Sequence, residues 1–451
     1  MNYDLCIIGG GINGVGIARD AAGRGLKVLL LEQSDLGSCT SSNSSKMIHG
    51  GLRYLEFYEF GLVRKSLVER EIMMRIAPQI VSPLRLCIPH RHTVRPAWMV
   101  RLGLFFYDHL TSLNLLPKSK TISLSGHSYG HALKNKSGMG FIYSDCWVDD
   151  ARLVILNAMD ARSYGADIRV SSPVTKILPV DGEWHIHTPH DRFRAKIVVN
   201  ATGPYVRSFL DENGLTNDET PRLRLVQGSH IIVPRLYDGD HAYLIQCPDK
   251  RVVFVLPYEK NFTLIGTTET AFKGNPKDAR ITNEEIDYLC KTVNREFEKQ
   301  ISKEDILWTY SGVRPLFDED HNLDNRKVTR DYKLVHTHYK GSRILNIFGG
   351  KLTTYRTLSE EVVDSLLPYF PNMNPKWTDA KTLPFIDIDF QPNEQTIRYF
   401  IDHEWARTID DVLWRRTKWG LHLSLKEQAI LKQTFDKVLE EDFPNEENSG
   451  Y

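Results

Sequence analysis

The chain has 451 residues, a length that predicts two or three domains. Its 57 lysines and arginines equal its 57 aspartates and glutamates, which argues against a nucleic-acid partner. The 6 cysteines form no Cys-x-x-Cys pair, so we expect reduced thiols. The apolar run at 5–8 is too short for a signal peptide, and no run of about 18 uncharged apolar residues predicts a membrane span.

The first predicted element is a βαβ unit that binds a dinucleotide. Gly9, Gly11 and Gly14 have the G-x-G-x-x-G spacing directly after an apolar strand. The following helix offers its N–H groups to phosphates. Glu32 ends the next apolar run and can accept hydrogen bonds from ribose hydroxyls. Because glycines, strand, helix and acid occur together, they indicate a cofactor site rather than a structural glycine turn.

A serine-rich stretch follows at 34–45 and leads into KMIHGGLRY (46–54). It could be a linker, but it is short and lies between predicted elements, so we favour a loop that presents hydroxyls and amides to cofactor phosphates. A strand at 139–150 and a helix at 151–164 come next, with Asp149 or Asp150 as the cap. The string NATGP (200–204) then follows another strand, as in a two-part flavin-binding fold.

The later part of the chain predicts an antiparallel sheet and several helices. Alternating runs with turn residues between them occupy 225–234, 243–246, 251–257 and 262–268. A strand at 344–348 leads to a second glycine turn at Gly349. Helical spacing predicts helices at 283–299, 397–416 and 425–441, and the residues after 443 are expected to be frayed.

Motifs along the whole chain resemble those of the FAD-dependent, respiratory glycerol-3-phosphate dehydrogenases, in the wider group that includes D-amino-acid oxidase. The matching strings are GGGINGVGIARDAAGRGL (9–26), TSSNSSKMIHGGLRYLE (40–56), YSDCWVDDARL (143–153), NATGP (200–204), QGSHIIVP (227–234), VFVLPY (253–258), IGTTE (265–269), WTYSGVRPL (308–316), TRDY (329–332), FGGKLTTYR (348–356) and HEWARTIDDVLWRRTKWG (403–420). Between 384 and 397 the family usually has a longer helical stretch, so the C-terminal domain is expected to be shortened.

The resemblance implies an α/β (α+β) protein with three parts. A two-part FAD-binding Rossmann-like domain is expected from 1–85, 140–220 and 330–375. An antiparallel-sheet substrate domain is expected from 86–139 and 221–329. The shortened C-terminal helical domain would span 385–451, and its part in dimer or partner contacts is open.

The resemblance also implies the cofactor contacts. FAD would lie along the first glycine turn, with Glu32 at the ribose. The remaining contacts are expected from Thr40, Ser41, Ser45 and Lys46 at the pyrophosphate, from Gly203 near the nucleotide, from His49 at the flavin, and from Gly349, Gly350, Leu352 and Thr353 under the isoalloxazine ring. The dipole of the helix after this second turn can stabilise a reduced flavin. A helix C-cap is the structural alternative for the glycine pair.

A phosphate and a secondary alcohol in one substrate require forked cations and a proton acceptor. The resemblance places Arg53, Arg314 and Arg330 around the phosphate, with Tyr54 beside Arg53. Thr267 and Thr268 would line the pocket or pack in the sheet.

Candidates for the base are His230, Lys351 and His49, and the residues do not choose between them. We favour His230, although its strand also suits a core histidine. Lys351 is the next candidate, and it could instead steady the substrate oxygen or the flavin charge. Arg314 completes the predicted catalytic group.

The resemblance implies oxidation of sn-glycerol 3-phosphate to dihydroxyacetone phosphate, by hydride transfer from C2 to FAD N5, with a membrane quinone as the electron acceptor. We therefore expect a peripheral protein on the cytoplasmic face of the membrane or in the cytoplasm, a possible homodimer, with no metal. The segment RHTVRPAWMVRLGLFFY (91–107) mixes arginines with aromatic residues, as an interfacial anchor on the bilayer surface does, although core packing explains the aromatics equally well.

Other functions account for part of the sequence. An oxygen-dependent glycerol-3-phosphate oxidase is compatible with the residues, whereas three arginines in phosphate-site strings argue against an amine oxidase. A catalytically impaired flavin-binding sensor would follow from the shortened C-terminal domain, but the candidate catalytic residues are intact. An NAD-dependent Rossmann enzyme does not account for the second glycine turn.

Overall fold

The computed structural model describes residues 2–90, 95–112, 115–317 and 331–442. The strands are β1 (Asn2–Ile8), β2 (Val28–Leu31), β3 (Met47–Ile48), β4 (Val81–Pro89), β5 (Lys120–Ser123), β6 (Met139–Val148), β7 (Asp167–Arg169), β8 (Lys176–Val180), β9 (Glu183–His187), β10 (Arg192–Asn200), β11 (Leu223–Pro234), β12 (Ala242–Gln246), β13 (Val252–Tyr258), β14 (Phe262–Gly266), β15 (Thr270–Ala271), β16 (Trp308–Phe317), β17 (Lys333–Tyr339) and β18 (Ser342–Phe348). The helices are α1 (Ile12–Gly23), α2 (Phe60–Ile76), α3 (Ala97–His109), α4 (Asp150–Ser163), α5 (Val206–Glu212), α6 (Asn283–Glu296), α7 (Tyr355–Asp364), α8 (Glu394–Glu404), α9 (Trp419–His422) and α10 (Leu425–Asp442).

The first sheet has the strand order β17-β18-β10-β1-β2-β7, and the hairpin of β8 and β9 extends from β10. Its central strands are parallel, while β17 runs antiparallel to β18. Strand β1 is apolar on both faces because Leu5 and Ile7 pack in one core cluster and Cys6 and Ile8 in another. The carboxyl ends of β1, β10 and β18 lead into the two glycine turns and into the ATGP string, so these segments meet at one edge.

The second sheet has the order β15-β11-β14-β13-β12-β4-β6-β3, and β16 pairs with β11 while β5 pairs with β6. All of its pairings are antiparallel except that between β12 and β4. The predicted class, a Rossmann-like sheet joined to an antiparallel sheet, is confirmed. Strand β6 belongs to this second sheet, whereas the predicted domain bounds assign 140–220 to the cofactor domain. The domain bounds as a whole stay a prediction.

The predicted helix at 397–416 is wrong because the segment is divided. Helix α8 ends where Trp405 has a φ of +57°, a left-handed conformation that stops a helix. The backbone N–H groups of Arg407 and Thr408 then donate to the Asp411 carboxylate, both at 2.8 Å. A separate π-helical turn, Asp411–Arg416, follows. The Asp411 carboxylate therefore accepts the N–H groups of Arg407 and Thr408, which a continuous helix would have bonded to backbone carbonyls.

Helix α3 covers most of the segment predicted as an interfacial anchor, and 91–94 lie outside the described residues. Its exposed face carries Trp98, Leu102 and Phe105, which are 65%, 46% and 50% exposed. Tyr107 was predicted to belong to this face, but it is buried. Its hydroxyl donates to Asp145 Oδ1 at 2.6 Å and accepts from Gly50 N–H at 2.7 Å, so it is a core residue. None of the helices in the described parts of the chain is long and apolar enough to span a bilayer.

Candidate active site

A cavity of about 1010 Å³ is lined by residues of both sheets and of their connecting loops. It collects most of the residues predicted for the cofactor, namely Gly9, Gly11, Glu32, Thr40, Ser41, Ser45, His49, Gly203, Gly349, Gly350, Leu352 and Thr353. The predicted substrate and catalytic residues Arg53, Tyr54, His230, Arg314 and Lys351 line the same cavity. Predictions made from separate strings therefore converge on one place. Arg330 lies outside the described residues, and its role stays a prediction.

The first glycine turn brings backbone into unusually close contact. Gly9 has a φ of +109°, and a Cβ there would lie 2.6 Å from the carbonyl oxygen of Ala201. A Cβ on Gly14 would lie 1.9 Å from the carbonyl oxygen of Gly9. Gly14 does not line the cavity, so its part is to let α1 pack against β1. Only glycine permits this approach of the helix N-terminus to the strand.

Glu32 is fixed at the cavity wall by backbone donors. Its carboxylate accepts from Gly10 N–H at 2.6 Å and from Ser34 N–H at 2.9 Å. Burial raises the pKa of Glu32, and these N–H donors partly oppose that rise. A carboxylate held in this way at the end of β2 can accept hydrogen bonds from a ribose.

The second glycine turn lies beside the first. Gly349 and Gly350 have φ values of +85° and +110°, and the side-chain amide of Asn13 donates to the Gly349 carbonyl at 3.3 Å. The alternative of a helix C-cap is wrong, because a 3-10 turn at Leu352–Thr354 and then α7 begin after these glycines. Asn13 Oδ1 is buried and has no hydrogen-bond partner among the described residues. This open acceptor and the glycine cradle fit a cofactor in the cavity.

Sequence reasoning missed Asn13, whose signal is its place between the second and third glycines of the first motif. It also misplaced Lys46, whose ammonium lies 2.6 Å from Asp150 Oδ1 in a buried ion pair and does not line the cavity. Thr268 lies behind the cavity wall as well. Its hydroxyl donates to Glu285 Oε1 at 2.5 Å and accepts from Ser229 N–H at 2.9 Å. Both buried polar groups are satisfied by distant partners, which local motifs do not reveal.

Two guanidinium groups converge on the segment after β14. Arg314 Nη2 donates to Thr267 Oγ1 at 3.3 Å, and Arg53 Nη1 lies 4.0 Å from Glu269 Oε2. Arg314 comes from β16, whereas Arg53 comes from the 3-10 turn Leu52–Phe57. Two forked cations at one wall of the cavity can bind a phosphate dianion bidentately.

Gly228 is a further residue that the sequence did not single out. A Cβ there would lie 2.4 Å from Arg314 Nη2 and 2.5 Å from Thr267 Oγ1, so the bare backbone makes room for the guanidinium. Gly228→Ala is expected to displace this guanidinium, because a side-chain end moves more easily than a strand. One charged hydrogen bond contributes about 1.5–3 kcal/mol, so we expect the KM for a phosphorylated substrate to rise about tenfold or more. Steady-state kinetics tests this, and an unchanged KM would contradict it.

His230 is enclosed between Ser45 and Tyr310. Its Nε2 lies 2.8 Å from Ser45 Oγ, and its ring stacks on Tyr310 with centroids 4.7 Å apart. Burial, and then the charges of Lys46 and Arg314, hold the pKa of His230 well below its usual 6.5. The imidazole is therefore neutral at neutral pH, and the same burial and charges make it a weaker base than an exposed imidazole. The other candidate, Lys351, has its ammonium 4.1 Å from the centroid of the Tyr54 ring.

A pH series of protein stability tests the burial of His230. Because the folded-state pKa lies below the unfolded value of about 6.5, the unfolded chain binds the proton first as the pH falls. The contribution of His230 is complete above that pH and declines below it, by at most about 1.4 kcal/mol per pH unit for one site. His230→Gln is expected to lose stability less steeply than the wild type in urea unfolding between pH 7 and pH 5. An identical slope in the two proteins would contradict a lowered pKa.

The chain matches the family model described as FAD dependent oxidoreductase over residues 4–356. It is 43% identical to a glycerol-3-phosphate dehydrogenase of Pseudomonas aeruginosa, covering 96% of this chain and 94% of that protein. It is 42% identical to D-erythritol 1-phosphate dehydrogenase of Brucella abortus, covering 96% and 98%. The solved glycerol-3-phosphate dehydrogenase of Bacillus halodurans in complex with FAD has a similar fold, with a TM-score of 0.70 at 22% identity, covering 97% of this chain and 95% of that one.

The chain belongs to the family of FAD-dependent oxidoreductases, and its cofactor is FAD. The resemblance to glycerol-3-phosphate dehydrogenases is confirmed at an identity that extends over nearly the whole chain. The roles of the individual site residues stay predictions.

Proposed function

We propose that this protein oxidises glycerol 3-phosphate to dihydroxyacetone phosphate and passes the electrons to a membrane quinone. The observation that carries the proposal is the convergence of Arg53 and Arg314 on the Thr267–Glu269 wall of the cofactor cavity. A phosphate held there would bring the rest of a three-carbon substrate to the neighbouring His230 and Lys351. The near-full-length likeness to proteins named glycerol-3-phosphate dehydrogenase supports the same substrate.

Each residue of the candidate site has its own role in this reaction. Arg53 and Arg314 bind the phosphate and fix the orientation of the substrate. Neutral His230 accepts the proton of the C2 hydroxyl, while its stacking on Tyr310 holds the imidazole in place. Lys351 stabilises the negative charge that develops on the substrate oxygen, and it is the alternative base. Bound FAD supplies the hydride acceptor.

Anaerobic mixing of the purified, FAD-loaded protein with glycerol 3-phosphate tests the proposal. We expect the flavin absorbance near ~450 nm to bleach, and we expect glycerol without the phosphate to leave it unchanged. D-erythritol 1-phosphate is the informative competitor, because a relative that is 42% identical is named D-erythritol 1-phosphate dehydrogenase. Faster bleaching by the erythritol compound would overturn the glycerol assignment. A flavin that neither compound bleaches would support the flavin-binding sensor instead.

A quinone acceptor is favoured over oxygen because the relatives that are 42–43% identical are named dehydrogenases and not oxidases. Reoxidation of the bleached protein distinguishes the two acceptors. We expect a soluble quinone analogue to restore the flavin absorbance much faster than air-saturated buffer. Equal or faster reoxidation by oxygen would make the protein an oxidase.

The exposed face of α3 supports a position on the bilayer surface. Trp98, Leu102 and Phe105 are spaced along one side of the helix and are about half exposed or more. The opposite side holds Val100 and Leu104, which pack in a core cluster and anchor the helix. Aromatic and leucine side chains on a firmly held helix are suited to the headgroup boundary of a membrane.

A vesicle flotation assay with liposomes that contain anionic lipid tests this surface. We expect the wild type to float, and we expect Trp98→Ser combined with Phe105→Ser to abolish most of the binding, because partitioning follows buried apolar area. Leu425→Ser is the matched control, since Leu425 is an exposed apolar residue on α10. Flotation of the double variant at the wild-type level would exclude α3 as the membrane contact.

A further inference from the structure

The string HEWARTIDDVLWRRTKWG (403–420) has no part in the proposed chemistry, yet it makes buried contacts with the cofactor half of the molecule. We name residues 394–442 the C-terminal segment and residues 33–46 the cofactor loop. The segment has its own apolar core, which includes Ile397, Phe400 and Phe435. It contacts the rest of the protein through aromatic packing, such as the stacked rings of Trp414 and Trp308, and through ion pairs, one set of which ends in the cofactor loop.

Two arginines of the C-terminal segment bind the carboxylate of Asp35. Arg416 binds it with both terminal nitrogens, Nη2 lying 2.7 Å from Oδ1, and Arg415 Nε lies 2.5 Å from Oδ2. The Arg416 side chain is 0% exposed and that of Asp35 is 5% exposed. Burial alone would raise the pKa of Asp35, but the guanidinium groups of Arg416 and Arg415 outweigh burial and hold the pKa below its usual value. The carboxylate therefore stays charged and paired.

The cofactor loop also makes hydrogen bonds to backbone groups around the cavity. Directly after Asp35, the N–H of Gly37 donates to the Gly10 carbonyl at 3.0 Å. Ser41 Oγ accepts from the N–H of Ile12 at 3.0 Å, at the N-terminus of α1. Thr40 Oγ1 donates to the carbonyl of Val313, the neighbour of Arg314, at 2.7 Å. Hence the loop joins the first glycine turn to the strand that bears the phosphate-site arginine.

The C-terminal segment is also attached along α4. Arg152 on α4 binds the buried carboxylate of Glu404, with Nη2 lying 2.9 Å from Oε1. Lys418 Nζ lies 3.4 Å from Asp149, next to the Asp150 that pairs with Lys46 of the cofactor loop. Farther along α4, Arg162 Nη1 donates to the Asp402 carbonyl at 3.3 Å, and its guanidinium lies over the Trp405 ring. The Arg162 contact can therefore be removed by mutation without changing a charge beside the loop.

We propose that Arg415 and Arg416 are positioning residues that hold the cofactor loop closed over FAD, so that the C-terminal segment controls the retention of the cofactor. Breaking a buried charged pair leaves an unpaired charge, which favours any opening of the loop that lets water reach it. An open loop withdraws the hydroxyls and amides of 37–41 from the cavity. The proposal rests on the FAD cofactor and not on the identity of the substrate.

Release of FAD from the loaded protein tests this proposal, read from the recovery of flavin fluorescence after dilution. Asp35→Asn keeps the side-chain shape but removes the charge, and Arg416→Lys keeps a charge but loses the fork. Arg162→Met is the matched control, because it loosens the segment at α4 without removing a charge beside the loop. We expect FAD to dissociate at least about tenfold faster from the first two variants, and within about twofold of the wild type from the control.

Hydrogen exchange of peptides from 33–46 separates a loop effect from a general loss of stability. We expect faster exchange there in Asp35→Asn and Arg416→Lys, with little change in the Arg162→Met protein. Wild-type FAD dissociation in a folded Asp35→Asn protein would overturn the proposal. So would an equal acceleration in all three variants, or failure of both loop variants to fold, since these pairs would then support the fold rather than the loop.

Discussion

Replacing Arg314 with methionine is expected to lower kcat/KM for glycerol 3-phosphate by about a hundredfold or more. The substitution keeps most of the apolar volume and removes the guanidinium fork that contacts Thr267 at the cavity wall. Truncating one partner of a buried, charged pair costs about 2–5 kcal/mol, which corresponds to this loss. Because a phosphate is bound in the ground state and in the transition state alike, we expect most of the loss in KM. Steady-state kinetics normalised to flavin content measures it.

Two further variants serve as controls for the loss of kcat/KM expected in Arg314→Met. Arg314→Lys retains the charge without the planar fork, so its kcat/KM is expected to lie between those of the wild type and Arg314→Met. Arg222→Met removes an exposed arginine that does not line the cavity, and it is expected to change little. If Arg314→Met kept kcat/KM within about threefold, the phosphate would have to bind elsewhere.

Gly14→Ala is expected to weaken FAD binding by at least about a hundredfold, because the added Cβ would lie 1.9 Å from the Gly9 carbonyl oxygen. The Cβ is fixed by the backbone of α1, and the oxygen belongs to the backbone directly after β1, so α1 has to move away from β1. That movement removes the helix N-terminus from the cofactor phosphates. Flavin absorbance per protein after purification, and a titration of the apoprotein with FAD, measure the effect.

The matched control is Gly61→Ala in α2, where a Cβ would meet nothing within 4 Å. Alanine is a better helix former than glycine, so this variant is expected to bind FAD normally and to gain about 0.5–1 kcal/mol of stability. Normal FAD content in Gly14→Ala would contradict the close packing of helix and strand.

The sequence predicted the two glycine turns, the two kinds of sheet and most of the predicted site residues that line the cavity, because these depend on short-range constraints. Glycine spacing indicates where backbone approaches backbone, and alternation indicates which strand face is buried. The string around Arg314 was informative for the same reason, since the register of β16 against β11 fixes the position of Arg314 in the sheet. The division of the segment 397–416 was missed because apolar spacing does not report the hydrogen bonds from the Arg407 and Thr408 N–H groups to Asp411.

The sequence by itself determined the family, the cofactor and four charged or titratable side chains that line the cavity, Arg53, Arg314, His230 and Lys351, whose roles stay predictions. Only the tertiary structure decided which charged side chains form buried ion pairs, and with which partners. Lys46 pairs with Asp150 across 104 positions, and Arg416 pairs with Asp35 across 381. Burial imposes such pairing because an unpaired charge in the interior is costly, yet nothing in the neighbouring sequence specifies the partner. For that reason the family resemblance placed Lys46 at the cofactor, whereas in the folded chain this last residue of the cofactor loop pairs with Asp150.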